Sequence, residues 1–300
     1  MEKHYIRKKS IFGVKLRVNS KLKSCLDRLA DDYDVAFLDS DPVCLIHDYP
    51  SPLDREVAGL VVSVLAYGGA QQIRKSASEA LSRAGSTPSE FVMNLTPDKA
   101  LNAFHSFKHR WTDGSDIAFI FWVLGRILNE YGSVGSLVKS LDDPAEATIE
   151  GVMTRFPEWI VAQYSNCFGK NTGRPGIHYL VPSPSNGSAC KRLALYFRWM
   201  VRGPDGVDCG LWKFISPARL IIPVDRHIAR MAVCLGLTSR CSADWKMALD
   251  ITESLRHLDP HDPVRYDFAL VRPGILNTCT QSKWGDCRSC ALETVCREAT

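Results

Sequence analysis

A capping side chain followed directly by proline recurs along this 300-residue chain, and five instances read as helix starts: Ser51-Pro52, Thr87-Pro88, Thr96-Pro97, Asp143-Pro144 and Asp262-Pro263. Proline is tolerated at the first position of a helix because the amide it lacks would have no acceptor there, and the preceding hydroxyl or carboxylate can cap the free amides that follow. Acids in the next turn, such as Asp54, Glu90 and Asp98, suit the positive end of the helix dipole. Apolar residues then follow at helical spacing, as in Val57, Leu60, Val61, Val64 and Leu65, or Leu193, Tyr196, Phe197 and Met200. Strand signals are confined to short runs, Val35–Leu38 and Leu220–Ile222, with no βαβ rhythm and no internal repeat. The pattern predicts an all-α protein.

A hydrophobic content of 45% is enough for one large domain or two lobes with real cores. The longest apolar run, Ile117–Leu124, is too short to span a bilayer, and the first residues lack the layout of a secretory signal, so no membrane partner is expected and a cytoplasmic location is. The net charge of +4 is modest, but its distribution is uneven. Residues 1–24 carry eight bases against one acid, residues 31–60 eight acids against one base, and residues 170–230 ten bases against three acids. Such segregation can create a basic face on a nearly balanced protein.

Four cysteines, Cys279, Cys287, Cys290 and Cys296, close the chain with the spacing C-x7-C-x2-C-x5-C. Disulfides need an oxidising compartment, and structural zinc usually joins two short knuckles, whereas only one CxxC is present. Single arms around one central CxxC suit a four-thiolate iron-sulfur cluster, with zinc the alternative and buried structural thiols the plainest reading. The other seven cysteines are scattered singly and read as small apolar fillers.

A second constellation follows the Pro/Gly/Ser-rich stretch 169–188, the longest irregular segment. Asn186-Gly187-Ser188-Ala189-Cys190-Lys191-Arg192 opens an apolar helix; Gly187 permits close backbone approach, and free amides at a helix start favour an anion such as phosphate. Lys191 in the first turn sits where the dipole and Arg192 work against its charge, a setting that makes an amine nucleophilic, though an exposed lysine at a helix start is the commoner case. Further on, Pro223-Val224-Asp225-Arg226-His227 precedes another amphipathic helix. Asp225 reads first as an N-cap, and also as a carboxylate able to share a cleft with Lys191.

Together these segments resemble the helix-hairpin-helix base-excision DNA glycosylases, most closely the endonuclease III branch, with its G-x-G-x-K hairpin, V-D-x-H segment and C-terminal four-cysteine loop. Finer phrases, Phe197–Arg202, Gly210–Lys213 and Asp262–Ala269, are similar to an uncharacterised bacterial family distantly related to those glycosylases. Three departures stand out: Ala189 in place of the second hairpin glycine, one extra residue in the first cysteine gap, and about 20 additional residues, Gly203–Ile222, before Asp225. The insertion could reshape or cover the pocket, and its Lys213 is an alternative amine.

The resemblance implies a two-lobed helix-hairpin-helix fold with a helical-barrel lobe over 54–205 and a second lobe of 1–53 plus 206–300 that carries the iron-sulfur loop at 279–296. It implies a monomer acting on double-stranded DNA with a damaged base or abasic site, in the bacterial cytosol. Lys191 would attack the sugar as Schiff-base nucleophile with Asp225 as its electrostatic and acid-base partner. Gly187, Arg192, Arg198, Arg202, Arg226, His227 and Arg230 would hold DNA, with Gln71 and Gln72 on a DNA-probing turn. Trp199, Trp212 and Tyr67 are candidate pocket walls. A 4Fe-4S cluster on Cys279, Cys287, Cys290 and Cys296 would serve as scaffold. A non-catalytic iron-sulfur nucleic-acid-binding protein and a glycosylase without lyase activity are the competing expectations.

Overall fold

A computed structural model describes residues 20–164, 166, 175–275, 279 and 290–296. Its described part is mostly helical. In chain order come α1 (Ser20–Asp32), α2 (Cys44–His47), α3 (Pro52–Val64), α4 (Ala70–Ala84), α5 (Pro88–Met93), α6 (Pro97–Phe104), α7 (Gly114–Tyr131), α8 (Val134–Leu141), α9 (Glu150–Ala162), α10 (Pro175–Leu180), α11 (Lys191–Val201), α12 (Arg226–Cys234), α13 (Trp245–Arg256) and α14 (Asp267–Ile275).

Three of the five cap-proline signals start helices, at Pro52, Pro88 and Pro97. Thr96 caps through its hydroxyl, which accepts the Lys99 amide at 3.3 Å. The other two make turns instead, because arginines engage the residues around them. Arg219 grips the Asp142 carboxylate and the Asp143 carbonyl, and the next helix waits until Glu150. Arg202 takes the Asp262 carboxylate at 2.8 Å, and the chain turns before α14 begins at Asp267. The two strand expectations fail as well. Val35–Leu38 lies in a 3-10 helix, Val35–Ser40, opened by the Asp34 carboxylate accepting the Ala36 amide at 2.9 Å. Leu220–Ile222 is extended, but the Ile222 amide donates to the Thr252 hydroxyl rather than to a strand. The ladder that does form among the described residues is a small hairpin, β1 (Lys108–His109) paired with β2 (Thr112–Asp113).

Helix α3 runs through the core, with Val57, Ala58, Leu60, Val61 and Val62 fully buried. The apolar run Ile117–Leu124 is the inner part of α7, also buried. Among the described residues no single helix is long and apolar enough to cross a membrane. Gly59 lets α3 pass close to α11: a β-carbon there would stand 2.8 Å from the Met200 methyl carbon and 3.1 Å from the Tyr196 ring. The close crossing places the exit of α3, at Ala66, beside the start of α11, at Lys191.

The extra segment Gly203–Ile222 folds inward. Its Cys209 and Trp212 amides donate to the Trp199 and Met200 carbonyls at 2.8 Å each, satisfying acceptors left open at the end of α11. The Trp212 indole donates to Glu56 at 2.6 Å, and Glu56 also accepts the Val134 and Gly135 amides that start α8. Burial pushes the Glu56 carboxyl up despite those three donors. Trp212 is therefore core rather than pocket wall. On the other side α12 packs on α14 and α14 on α1, and the buried residues of all these helices form one continuous core.

Candidate active site

A cleft of about 770 Å³ lies where the exit of α3, the starts of α11 and α12, and α14 meet. Lys191 is the first residue of α11, and Asp225 is the N-cap of α12. Their side chains meet in this cleft, Lys191 Nζ to Asp225 Oδ2 at 3.3 Å, and the same ammonium lies 3.5 Å from the Ala66 carbonyl. The Asp225 Oδ1 atom accepts the His227 and Ile228 amides at 2.8 and 3.0 Å. One carboxylate thus both caps and pairs. Burial works to raise the Asp225 carboxyl, but Lys191 and the Ile228 amide outweigh it and hold it below the usual carboxylate range. The pair remains partly solvated, with 30% of the Lys191 side chain and 19% of the Asp225 side chain exposed.

The competing amine lies elsewhere. Lys213 is exposed and donates to the Gly203 carbonyl at 3.0 Å, and it does not line the cleft.

The other expected DNA contacts separate into three groups. Gln71 and Gln72 are exposed at the start of α4, and the preceding turn, Ala66–Ala70, lines the cleft. Arg226 is exposed on the cleft rim and donates from Nε to His227 Nε2 at 3.3 Å. Burial first, then the charges of Arg226, Arg230 and Lys191, lower the His227 imidazole against the pull of Asp225, which fits a neutral ring accepting from Arg226.

A second group is committed to the fold. Arg198 is 3% exposed and bonds Asp208 and Asp267; Arg202 bonds Asp208, Asp205 and Asp262. These two arginines, expected on phosphate, are interlocked with four carboxylates, so six residues form one network, and Arg198 lines the cleft from within it. Arg230 donates to the Cys279 carbonyl at 2.8 Å, tying α12 to the cysteine segment. Gly187 adopts φ +72° and is exposed, but its amide donates to the Pro184 carbonyl and its carbonyl accepts the Trp245 amide. The hairpin between α10 and α11 is pinned to α13, and the Gly187 amide is not open to an anion.

The third group forms one wall, in which the expected Arg192 and Tyr67 are joined by Tyr179, His109 and Arg110, which were not foreseen from the sequence. Arg192 donates to the Tyr179 carbonyl and lies beside two rings, 4.2 Å from the Tyr179 centroid and 5.2 Å from that of Tyr67. The Tyr67 hydroxyl donates to the His109 carbonyl at 2.8 Å and contacts the Thr112 hydroxyl at 2.6 Å. His109, fully buried, bonds the Tyr67 carbonyl through Nε2, which must therefore carry the proton, and the Ser76 hydroxyl through Nδ1. Arg110, at φ +50° on the turn of the β1–β2 hairpin, lines the cleft beside Tyr67. Lys108-His109-Arg110-Trp111 was the available signal, a basic and aromatic cluster just before the Asp113 cap of α7.

Of the four cysteines, Cys279, Cys290 and Cys296 are described, and Cys287 lies outside the described residues. Among the described residues no three cysteine, histidine or acidic side chains are gathered so as to hold a metal ion. The segment at 290–296 does dock, through the fully buried Leu292 and a 3.7 Å contact between Thr294 Oγ1 and the Cys25 thiol on α1.

No curated protein and no solved structure matches the chain. A family model does match, over residues 41–276, which takes in the cleft and both members of its lysine–aspartate pair. The chain belongs to the family described as Protein of unknown function (DUF2400).

Proposed function

We propose that this protein is a DNA glycosylase with abasic-site lyase activity, built on a helix-hairpin-helix-like scaffold of two lobes. The observation that carries the reading is the 3.3 Å approach of Lys191 and Asp225 across a cleft of about 770 Å³, from helix starts 34 residues apart in the chain. A cavity of that size admits an extruded nucleotide, and a base must leave the duplex before its glycosidic bond can be reached.

In the proposed reaction the Lys191 amine, having lost its proton, forms a bond to the sugar C1′ while the bond from C1′ to the base nitrogen breaks, and the base departs with a proton. Asp225, held ionised, stabilises the positive charge that grows on the sugar. Loss of the second amine proton and ring opening yield a Schiff base, from which elimination of the 3′ phosphate cleaves the strand. Arg226 and, at the start of α4, Gln71 and Gln72 face solvent where DNA would lie, so binding should weaken steeply with salt.

The cysteine loop belongs to the same proposal as a scaffold: four thiolates are the donor set of a 4Fe-4S cluster, with zinc the alternative. The described thiols do not by themselves form a metal site, and no step of the reaction passes through the loop. Iron and acid-labile sulfide in anaerobically purified protein support the cluster; zinc in their place sinks it.

Borohydride reduction in the presence of abasic-site or damaged duplex DNA tests the chemistry. A covalent adduct is expected for the natural chain and for Lys213→Gln, and none for Lys191→Gln. Base release without an adduct would point to a monofunctional glycosylase, and no reaction on any lesion to a binding protein.

A further inference from the structure

Among the described residues Trp111 is the most exposed of the large apolar side chains, at 76%, and Tyr179, one of the two rings beside Arg192, is 43% exposed. Neither is needed to fill the core. An exposed indole is disfavoured in water unless a partner covers it, and it sits here at the tip of a hairpin that is unusually well held. His109 on that hairpin is fully buried and bonded at both ring nitrogens, Thr112 is bonded to the Tyr67 hydroxyl, and α7 begins immediately after β2 with Asp113 capping it. The hairpin therefore presents Trp111 from a rigid support.

Cations stand beside these rings. Arg110 adjoins Trp111, lines the cleft and lies 6.0 Å from the Tyr67 ring centroid; Arg192 lies against both Tyr67 and Tyr179, whose rings meet edge to face at 5.1 Å. One Arg192 nitrogen, Nη1, is buried with no hydrogen-bond partner. Flat aromatic faces interleaved with guanidinium groups bind unpaired nucleotides by stacking on the bases and neutralising the phosphates, whatever the sequence. A paired duplex keeps its bases stacked on one another and offers such rings no faces except at a disrupted step.

We propose that Trp111 and Tyr179, with Arg110 and Arg192, form a stacking platform for unpaired DNA nucleotides next to the cleft, so that the preferred substrate is single-stranded or locally melted DNA. The proposal rests on the reading of the cleft as a DNA site, yet it concerns binding and not the chemistry of Lys191. The chain would meet a lesion already unpaired and would be spared the cost of opening the helix.

The test uses the full chain and lesion-free probes: a fluorescent 12-nucleotide oligothymidylate, the ribose oligouridylate of equal length, and a 12-base-pair duplex. The natural chain should bind the DNA single strand more tightly than the duplex and quench its tryptophan fluorescence on binding. Trp111→Ala and Tyr179→Ala should each weaken single-strand binding about tenfold, Trp111→Phe should restore most of it, and duplex binding should change less than twofold. Equal losses on both DNA probes, unchanged single-strand affinity in both alanine variants, or tighter binding of the duplex would overturn the platform. Tighter binding of the RNA probe would overturn the assignment to DNA. Borohydride trapping is scored separately on the same preparations, so failure of the Lys191 chemistry leaves the platform result readable, and the reverse.

Discussion

Helix α11 carries two kinds of charge. At its first residue Lys191 meets one carboxylate at 3.3 Å and keeps 30% of its side chain in solvent; two turns further on, Arg198 is 3% exposed and shares Asp208 and Asp267, while Arg202 shares Asp208 with Asp205 and Asp262. Both are lysine or arginine facing aspartate. The difference is how far each charge is used up by the protein. A guanidinium shared among two or three carboxylates is part of the fold, whereas an ammonium with one carboxylate and a long contact to the Ala66 carbonyl, at the edge of a cleft, has bonds left to give. The contrast separates a candidate site from structural electrostatics without reference to residue type.

The largest effect should come from removing the free amine. Lys191→Gln is expected to abolish the reducible adduct completely while changing unfolding free energy by less than about 1 kcal/mol, because a partly solvated pair contributes little. A comparable loss of stability and of adduct would place Lys191 with Arg198, among the structural charges. Next is the network. Asp208→Ala leaves two arginines short of a shared partner in the interior, and breaking a buried pair by deleting one member typically costs about 3–5 kcal/mol. Denaturant unfolding followed by circular dichroism should show that loss, with far less for the same change at Asp205, whose side chain is 39% exposed.

Asp225 allows its two tasks to be separated. Asparagine retains the N-cap and alanine does not, so Asp225→Asn should fold normally and Asp225→Ala should lose about 1 kcal/mol of stability. Both remove the negative charge, and both should slow adduct formation about 10²–10⁴-fold in single-turnover trapping. A normal rate in Asp225→Asn would restrict the residue to capping.

How much of this was open to reading before the fold was known follows from the same distinction. Proline after a capping side chain is a local signal, and three of five instances start helices as the local rule requires. Asp143 and Asp262 fail the rule through arginines 76 and 60 residues away, which no local pattern contains. Lys191 and Asp225 were legible because each stands at a helix start, and the close crossing at Gly59 then fixes what α11 faces. The network around Arg198 and Arg202 was not legible for the converse reason: their partners Asp208, Asp262 and Asp267 arrive from an inward-folding insertion and from the segment leading into α14. Tyr179, Arg110 and Trp111 went unread because three unrelated segments build their wall.

Acid titration sharpens the comparison last and most finely, since the two regions should respond in opposite directions. The Asp225 carboxyl is held below its usual value, so the folded state binds its proton less readily than the unfolded chain; its contribution is present above the unfolded value near 3.8 and disappears as pH falls through the lower folded value. Asp267 is pushed up to about 6, first by burial and further by the charges of Asp225 and Asp208, with Arg198 opposing. The network holds more carboxylates than guanidinium groups: Asp205, Asp208, Asp262 and Asp267 surround Arg198 and Arg202. A shared proton there relieves repulsion. Below pH 3.8 both states of Asp267 are protonated and its ionisation penalty is absent; stability then declines as pH rises to about 6 and stays level above. In unfolding compared from pH 3 to 7, the stability gap between the natural chain and Asp225→Asn should be steady from pH 7 down to about pH 4 and should narrow below it. Asp267→Asn, which keeps a hydrogen-bonding amide beside Arg198, should flatten the decline between pH 4 and 6. If that decline persists unchanged in Asp267→Asn, the buried network does not take up a proton at Asp267, and its carboxylates are balanced as fully as the single pair in the cleft.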